Sequence, residues 1–445
     1  MPTPEITPQE QLFIELINRA RLDPNGEAAR YGITLNQGLS AGTIASGAYA
    51  PLASNIDLNE AAANHSSWML GTDTFSHTGA NGSRAGDRMS AAGYSFTGSY
   101  RWGENISWRG TTGSLDLTAA IEAQHRSLFL SPGHRVNILG DFRELGVAQE
   151  VGQFASNGTN YNASMITENF AKSGSDLFIT GVAYNDYDKD GFYDVGEQRS
   201  GVVVDWLGNS GGAVTSASAG GYNVRVPGGI NGSAAVSVTA GGVTMNATIT
   251  MPGTNVKLDV IDGRVLASSH SLTLGAGGID ARLLGISSGN TLAGNDAANV
   301  LEGNKGANTL SGMGGNDTLR GGAGGDVLIG GMGRDTLVGG RGADDFVFRS
   351  TSESGASASS ADVVQGFSRG TDDIVVTAID ANEGVTGNQA FALDAGGSFT
   401  AGEIRQTLSG TTLTIEFNTD SDSTAEMTIV IQGMSTKFTA SDFEL

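Results

Sequence analysis

GGAGGDVLIGGMGRDTLVGG (Gly321–Gly340) spends nine of its twenty residues on glycine, yet it repeats every nine residues without slipping. Glycine loses the most backbone freedom on folding, so a large apolar core is not what orders such a segment. Extended in both directions, the phase covers GNDAANVLE, GNKGANTLS, GMGGNDTLR, GGAGGDVLI, GGMGRDTLV and GGRGADDFV, residues 294–347, with a degenerate copy, GISSGNTLA, before them. Position six holds Asn299, Asn308, Asp317, Asp326, Asp335 and Asp344, and position eight holds Leu301, Leu310, Leu319, Leu328, Leu337 and Phe346. The pattern is the G-G-x-G-x-D-x-U-x nonapeptide of a calcium-binding parallel β-roll. Six residues make a turn that offers carbonyl and carboxylate oxygens, and a hard cation that takes six to eight oxygens sits between turns. Three residues then make a strand whose eighth position points inward. A flexible linker would not keep an apolar residue in phase over six units. The Asn copies are expected to bind calcium more weakly and to cap the roll. Asn308, Asp317, Asp326, Asp335 and Asp344 are the candidate ligands.

Charge follows the repeat. Residues 1–175 carry 11 Lys and Arg against 16 Asp and Glu, and the remaining 270 carry 14 against 31. Nothing resembles a basic nucleic-acid footprint, and carboxylates at this density repel one another or bind cations. The chain has no cysteine, which excludes disulfides and thiolate metal sites. No 18-residue apolar run is present, so no transmembrane helix is expected. The first residues, MPTPEITPQEQLFIELINRARLDP, read as the opening helix of a folded domain and lack a cleavable signal. Export is therefore expected to use a signal elsewhere.

The repeat resembles the RTX family of bacterial secreted proteins. The segments DDFVFRSTSES, ADVVQGFSRGTDDIVV and FNTDSDSTAEMTIVIQGMSTKFTASDFEL that follow look like the C-terminal domain of serralysin-type metalloproteases. That resemblance implies type I export, with Phe438 to Leu445 as the address and the type I machinery as a partner. The protease itself is missing, because no H-E-x-x-H occurs.

A second cation signal lies in ITGVAYNDYDKDGFYDVGEQRSGVVV. Counted from Asp186, the oxygen positions are Asp186, Asp188, Asp190, Asp194 and Glu197, with Gly191 at the sharp turn and Phe192 supplying a carbonyl. This is the spacing of a twelve-residue calcium loop. Its flanks alternate as strands, so the segment resembles the calcium-binding B repeats of bacterial surface adhesins more than an EF-hand. The text to about residue 282 is short β-rich runs broken by Gly, Asn and Ser.

Four of the five histidines fall between residues 65 and 134. The strings AANHSSWM, GENI, SPGHRVNIL, RELGVAQE and MITENFAK resemble the bacterial branch of the CAP superfamily, whose members are also called SCP domains. The resemblance spans roughly residues 8–172 and implies an α/β/α sandwich with a cleft where two histidines and two acids can hold a divalent metal. His65, Glu104 and His134 stand at matching places. The second acid's place holds Ser131, and His125 or Glu122, three residues apart on one helix face, would fill in. Two imidazoles and a carboxylate suit Zn²⁺ with an open position. His77 is expected to be a structural partner and His270 to be solvated. GLSAG (Gly38 to Gly42) lacks the strand–turn–helix setting of a nucleophile elbow. GNSGG (Gly208 to Gly212) resembles a serine-protease motif, but no histidine lies near it in the sequence, so it reads as a turn.

The expected architecture is multidomain: a CAP domain over 8–172, an all-β calcium-binding sandwich over 176–282, an RTX β-roll over 283–347 and a serralysin-like domain over 348–445. The expected product is extracellular, secreted or held at the cell surface, and folded by several Ca²⁺ ions. Its CAP cleft would bind a peptide, glycan or lipid. The alternative is a protease-like, metal-assisted hydrolase that uses His65, Glu104 and His134. A CAP fold hosts many roles and does not choose between them.

Overall fold

The computed structural model describes residues 5–208 and 212–445. Asn209, Ser210 and Gly211, the middle of GNSGG, lie outside the described residues. The chain divides into two compact units, residues 1–243 with 250–263 and residues 244–249 with 264–445.

The first unit opens with α1 (Pro8–Leu22), whose N-terminus is closed by a capping box between Thr7 and Glu10. Next come α2 (Pro24–Arg30), β1 (Ala53–Ser54), α3 (Ile56–Gly71), α4 (Ala85–Ala91), β2 (Arg101–Thr111), α5 (Leu117–Leu130), α6 (Pro132–Ile138), β3 (Glu144–Ser156) and β4 (Thr159–Lys172). The four strands form one sheet in the order β1-β3-β4-β2, so β2 is an edge. Successive side chains of a strand point to opposite faces, and β4 reads both layers. Met165 packs with Met69 of α3, Thr167 bonds Ser66 of α3 and Asn169 donates to Leu58 O. Ser164 donates to Gln124 of α5, and Glu168 accepts from Asn105 on the opposite face. Helices therefore cover both faces of the sheet, as an α/β/α sandwich requires.

Within the same unit, β5 (Leu177–Tyr184) pairs antiparallel with Gly221–Val226 and parallel with Val256–Ile261. Val203–Trp206 pairs with Val214–Thr215 and with Asn231–Ala240. In Asn231–Ala240, Ala234, Val236, Val238 and Ala240 are buried and alternate with more exposed neighbours, the period of a half-buried strand. These strands are tied to the helical domain by a buried cluster. Lys257 Nζ lies 2.7 Å from Glu15 Oε2 and also bonds Asp259, and Gln11 donates to Glu15 at 2.8 Å.

The second unit holds two parallel ladders. One runs Leu272–Leu274, Asn290–Ala293, Asn308–Ser311, Val327–Ile329, Asp345–Val347, Asp373–Val375 and Phe443–Glu444. The other runs Val265–Ser268, Asp280–Leu283, Val300–Glu302, Thr318–Ala323, Thr336–Arg341, Asp362–Gln365 and Met427–Gln432. Leu310 faces Leu328 and Leu319 faces Leu337, a register of two nonapeptides per turn. All six position-eight side chains are fully buried. The ladders continue past the last repeat, and Thr412–Phe417 and Glu403–Ser409 then extend the second one antiparallel. This is a β-roll.

Candidate functional site

The roll presents its position-six carboxylates in one repeated geometry. Oδ1 of Asp317, Asp326, Asp335 and Asp344 accepts the backbone N–H of the residue 18 positions earlier, at 2.7 to 2.9 Å. Oδ2 of each is buried without a hydrogen-bond partner. The first glycine of the turn keeps that oxygen company. A Cβ at Gly312 would meet Asp317 Oδ2 and Gly330 O, and one at Gly321 would lie 2.5 Å from Asp326 Oδ2 and 2.6 Å from Gly339 O. Positions two and four of the later repeats have positive φ, for example Gly331 at 93° and Gly333 at 138°, and a Cβ at either would run into the carbonyl of Met313 or Gly315. An orphaned carboxylate oxygen beside converging carbonyls fits a hard cation, and only glycine leaves it room. Burial raises these carboxyls, to about 7 for Asp317 and about 6 for Asp326 and Asp335, with the neighbouring carboxylates adding to it.

The first two turns are built differently. Asn295 and Asn304 stand at position two, and their amides donate to Gly275 O, Gly278 O, Leu284 O and Ser287 O. Asn299 Nδ2 donates to Ile279 O at 2.6 Å, and Asn308 Oδ1 accepts from Asn304 N at 2.9 Å. Side-chain amides of Asn295, Asn299 and Asn304 thus tie these turns to the preceding chain, whereas Asn308 Nδ2 is buried without a partner.

Two ladder residues escape the nine-residue phase. Asp362 Oδ1 accepts from Asp335 N at 2.8 Å and Asp372 Oδ1 from Asp344 N at 3.2 Å, although 27 and 28 residues separate the partners. Asp362 Oδ2 is buried and orphaned, and burial pushes its carboxyl up to about 8. The insertions between the repeats and these two carboxylates hid both from spacing. A further group, Asp420, Asp422 and Glu426, brings its carboxylate oxygens within 4.8 Å of one another; its signal was the N-x-D-x-D run of Asn418 to Asp422.

In the first unit, Asp186, Asp188 and Asp190 likewise bring carboxylate oxygens within 4.8 Å. Asp186 is 6 % exposed with Oδ1 buried and unpartnered, and Gly191 turns the chain at φ +76°. Glu197 is held by the N–H groups of Tyr187 and Asp194. Burial, with Asp190 and Glu197 nearby, pushes the Asp194 carboxyl up to about 6. The flanks are strands, since β5 precedes the loop and Tyr184 bridges Gln198 after it. The ring of Phe192 lies under the Arg19 guanidinium of α1 at 4.8 Å.

The cleft forms at the β2 edge. Glu104 shares a sheet face with Asn169, the side covered by α3 and α4, and Asn105 shares the other with Glu168. Glu104 Oε1 accepts from His77 Nδ1 at 2.9 Å, and its Oε2 bonds Arg88 of α4. His65 is 1 % exposed; its Nε2 donates to Ser76 O at 3.0 Å and its ring stacks on Trp68 at 5.5 Å. Asn105 Nδ2 donates both to His134 O at 3.2 Å and to Glu168 at 2.7 Å. Nδ1 of His65 and of His134 is buried without a partner. Burial lowers both imidazoles; Glu104 opposes the shift at His65, and His77 deepens it at His134. The cleft thus gathers His65, Glu104 and His134 with two further groups, His77 and Arg88.

Among the described residues the only groups of three with ligand atoms within 4.8 Å are the two acidic ones, so the two imidazoles and Glu104 do not converge to that extent. Both Glu104 oxygens are taken. This arrangement does not fit a three-ligand zinc centre. His125, offered by spacing as a stand-in for the second acid, lies elsewhere. It is fully buried on the α1 and α2 side of α5, with Nε2 at 3.0 Å from Glu27 and the rings of Phe13, Tyr31 and Phe129 around it. Burial would raise the Glu27 carboxyl, but hydrogen bonds from His125 and Arg19 bring it down to about 2. Glu122 lines a groove with Arg19, Arg126 and Asp194 instead. One helix face carried both residues, and it turned to α1 rather than to the cleft. His270 is half-buried and bonds Ser269 at 3.0 Å rather than standing solvated.

Comparison with known proteins gives two family matches. The model described as peptidase M10 serralysin C terminal matches residues 146–445, and that described as the cysteine-rich secretory protein family matches residues 14–169. Among solved structures, the chain is similar to the AlgE6R3 and AlgE6R2 subunits of the Azotobacter vinelandii mannuronan C5-epimerase. Identity is 28 % to both, over 34 % and 32 % of this chain and 80 % and 89 % of theirs, with TM-scores of 0.28 and 0.24. It is also similar to an extracellular protein containing a SCP domain from Bacillus anthracis str. Ames, 22 % identical over 38 % of this chain and 45 % of that one, TM-score 0.21. The chain thus spans less than half the length of that Bacillus protein. No curated protein matches the chain. Among the described residues no helix is long and apolar enough to cross a membrane.

Proposed function

The chain belongs to the serralysin C-terminal family and carries a CAP domain, and on that premise we propose an exported binding protein whose roll folds on calcium outside the cell. The observation that carries this reading is the row of buried Oδ2 atoms from Asp317 to Asp362 that lack a hydrogen-bond partner. Cages of this kind do not exist in an unfolded chain, so cation binding is folding free energy. The roll stays open where calcium is scarce and closes where it is plentiful, and the type I machinery passes the open form. Asp317, Asp326, Asp335, Asp344 and Asp362 would hold the ions in the roll, and Asp186, Asp188, Asp190, Asp194, Glu197 and the Phe192 carbonyl would hold one in the loop.

The N-terminal domain is the effector and acts by binding. Both Glu104 oxygens are held, by Arg88 and His77, which supports recognition of a polar ligand over use of Glu104 as a base. Circular dichroism of the full chain tests the first half of the proposal: the roll's β signal should vanish with chelator and return with millimolar calcium. Metal analysis and a hydrolase screen test the second half. Zinc at one equivalent, with hydrolysis lost in His65→Ala, would overturn it.

A further inference from the structure

Between α3 and α4 is a pocket of about 220 Å³ that lies apart from the proposed calcium sites and shares Arg88 with the Glu104 clamp. Its apolar walls are Ala61, Trp68, Ala80, Ala91 and Ala92, and four polar residues line it, Asn64, His65, Ser83 and Arg88. Of these, His65 and Arg88 each have one buried atom without a hydrogen-bond partner, Nδ1 of His65 and Nε of Arg88. Their other atoms are committed. His65 Nε2 faces the carbonyl of Ser76, an acceptor, so the ring proton sits on Nε2 and Nδ1 presents a bare lone pair. Arg88 spends Nη1 on Ser83 O and His77 O and Nη2 on Glu104, which leaves Nε–H to donate. At Gly79 a Cβ would stand 2.9 Å from Ser83 Oγ, 3.0 Å from Arg88 Nη1 and 3.3 Å from His65 Nδ1. Glycine keeps that space open.

The two orphaned atoms therefore call for one acceptor and one donor, with an apolar group beside them. A carboxylate has no hydrogen to give His65, and a lone hydroxyl leaves the alanine walls uncovered. Resting on the binding reading above, we propose that this pocket receives the acetamido group of an N-acetylated sugar. The amide C=O accepts from Arg88 Nε–H, the amide N–H donates to His65 Nδ1, and the methyl lies against Ala61, Ala91 and Ala92. At about 30 Å³ for each water-sized group, the four heavy atoms of an acetamido arm fit, and the sugar ring stays at the mouth. A buried donor and acceptor left unpaired by a wrong ligand make such a site discriminating. A peptide carries amides too, but the pocket opens between two helices whose backbone groups are already paired, so it offers no strand-like pairing to an extended chain.

The test uses the full chain in saturating calcium and saturation-transfer NMR with four probes: N-acetylglucosamine, glucosamine, glucose and Nε-acetyl-lysine. The expected result is strong transfer to the acetyl methyl of N-acetylglucosamine, none to glucosamine or glucose, and at least tenfold weaker binding of acetyl-lysine. Ala91→Leu, at an exposed position on the pocket wall, should abolish the methyl signal while the circular dichroism and melting temperature stay as in wild type. No transfer to N-acetylglucosamine, equal binding of acetyl-lysine, or an unchanged signal in Ala91→Leu would each overturn the proposal. The binding reading fails separately: zinc-dependent hydrolysis would sink it, whereas a Glu104-dependent ligand that lacks any acetamido group would sink only the pocket's assignment.

Discussion

Asp362 Oδ1 accepts the backbone N–H of Asp335 at 2.8 Å, the same bond that Asp335 makes to Asp317, although Asp362 lies outside every nonapeptide. The roll's column of buried carboxylates thus runs one step further than its repeat. Asp362→Ala should weaken calcium-driven folding about as much as Asp326→Ala, by roughly tenfold or more in the calcium midpoint, because each removes a charged ligand. Asn299→Ala should cost less, since its amide is spent on Ile279 O. Calcium titrations followed by circular dichroism compare the three. A wild-type midpoint for Asp362→Ala would end the column at Asp344.

Glu168 is fully buried on the face of β4 that holds Asn105. Burial pushes its carboxyl from an ordinary 4.5 up to about 8, and the hydrogen bond from Asn105 only partly offsets this. The folded state therefore holds a proton that the unfolded chain gives up. Its stabilising effect is complete below about pH 4.5 and is lost as pH rises toward 8. Glu168→Gln should gain on wild type by about 1.4 kcal/mol per pH unit across that window. Urea unfolding of both proteins at pH 5 and pH 8, in calcium, measures the difference; a gap that does not move with pH would contradict it.

His125 belongs to the core. His125→Ala removes a hydrogen bond to the charged Glu27 and the ring contacts with Phe13 and Phe129, and should cost about 3 kcal/mol. Metal content should not change. Thermal unfolding and elemental analysis of the same sample check both statements.

The proposed export address is also a structural element. Phe438 is buried with its ring 4.6 Å from Phe367 and 5.7 Å from Phe443, and Phe443 pairs with Ile374 in the last strand. Phe438→Ala should destabilise the calcium-loaded roll by about 3–5 kcal/mol. Truncation of 438–445 then removes structure as well as address, so export assays need the melting temperature of the secreted protein beside them. A truncated, exported protein that melts like wild type would contradict this burial.

Sequence by itself determined the roll. A nine-residue phase with glycine at positions one, two and four and leucine at position eight specifies turn, strand and inward face locally, and all six position-eight side chains are buried as that phase requires. The carboxylates of the loop from Asp186 to Glu197 are close in the chain, so the grouping of Asp186, Asp188 and Asp190 is likewise local. Tertiary structure alone decided the rest. Asp362 and Asp372 join the column across insertions whose length no periodicity encodes. Glu104 meets Arg88 and His77 because β2 is an edge strand that α4 and its preceding loop reach from one face. His125 and Glu122 share a helix face that turns to α1, and nothing in their spacing says which neighbour that face will meet. Local periodicity dictates backbone and burial, whereas side chains from distant segments come together only when packing chooses the faces.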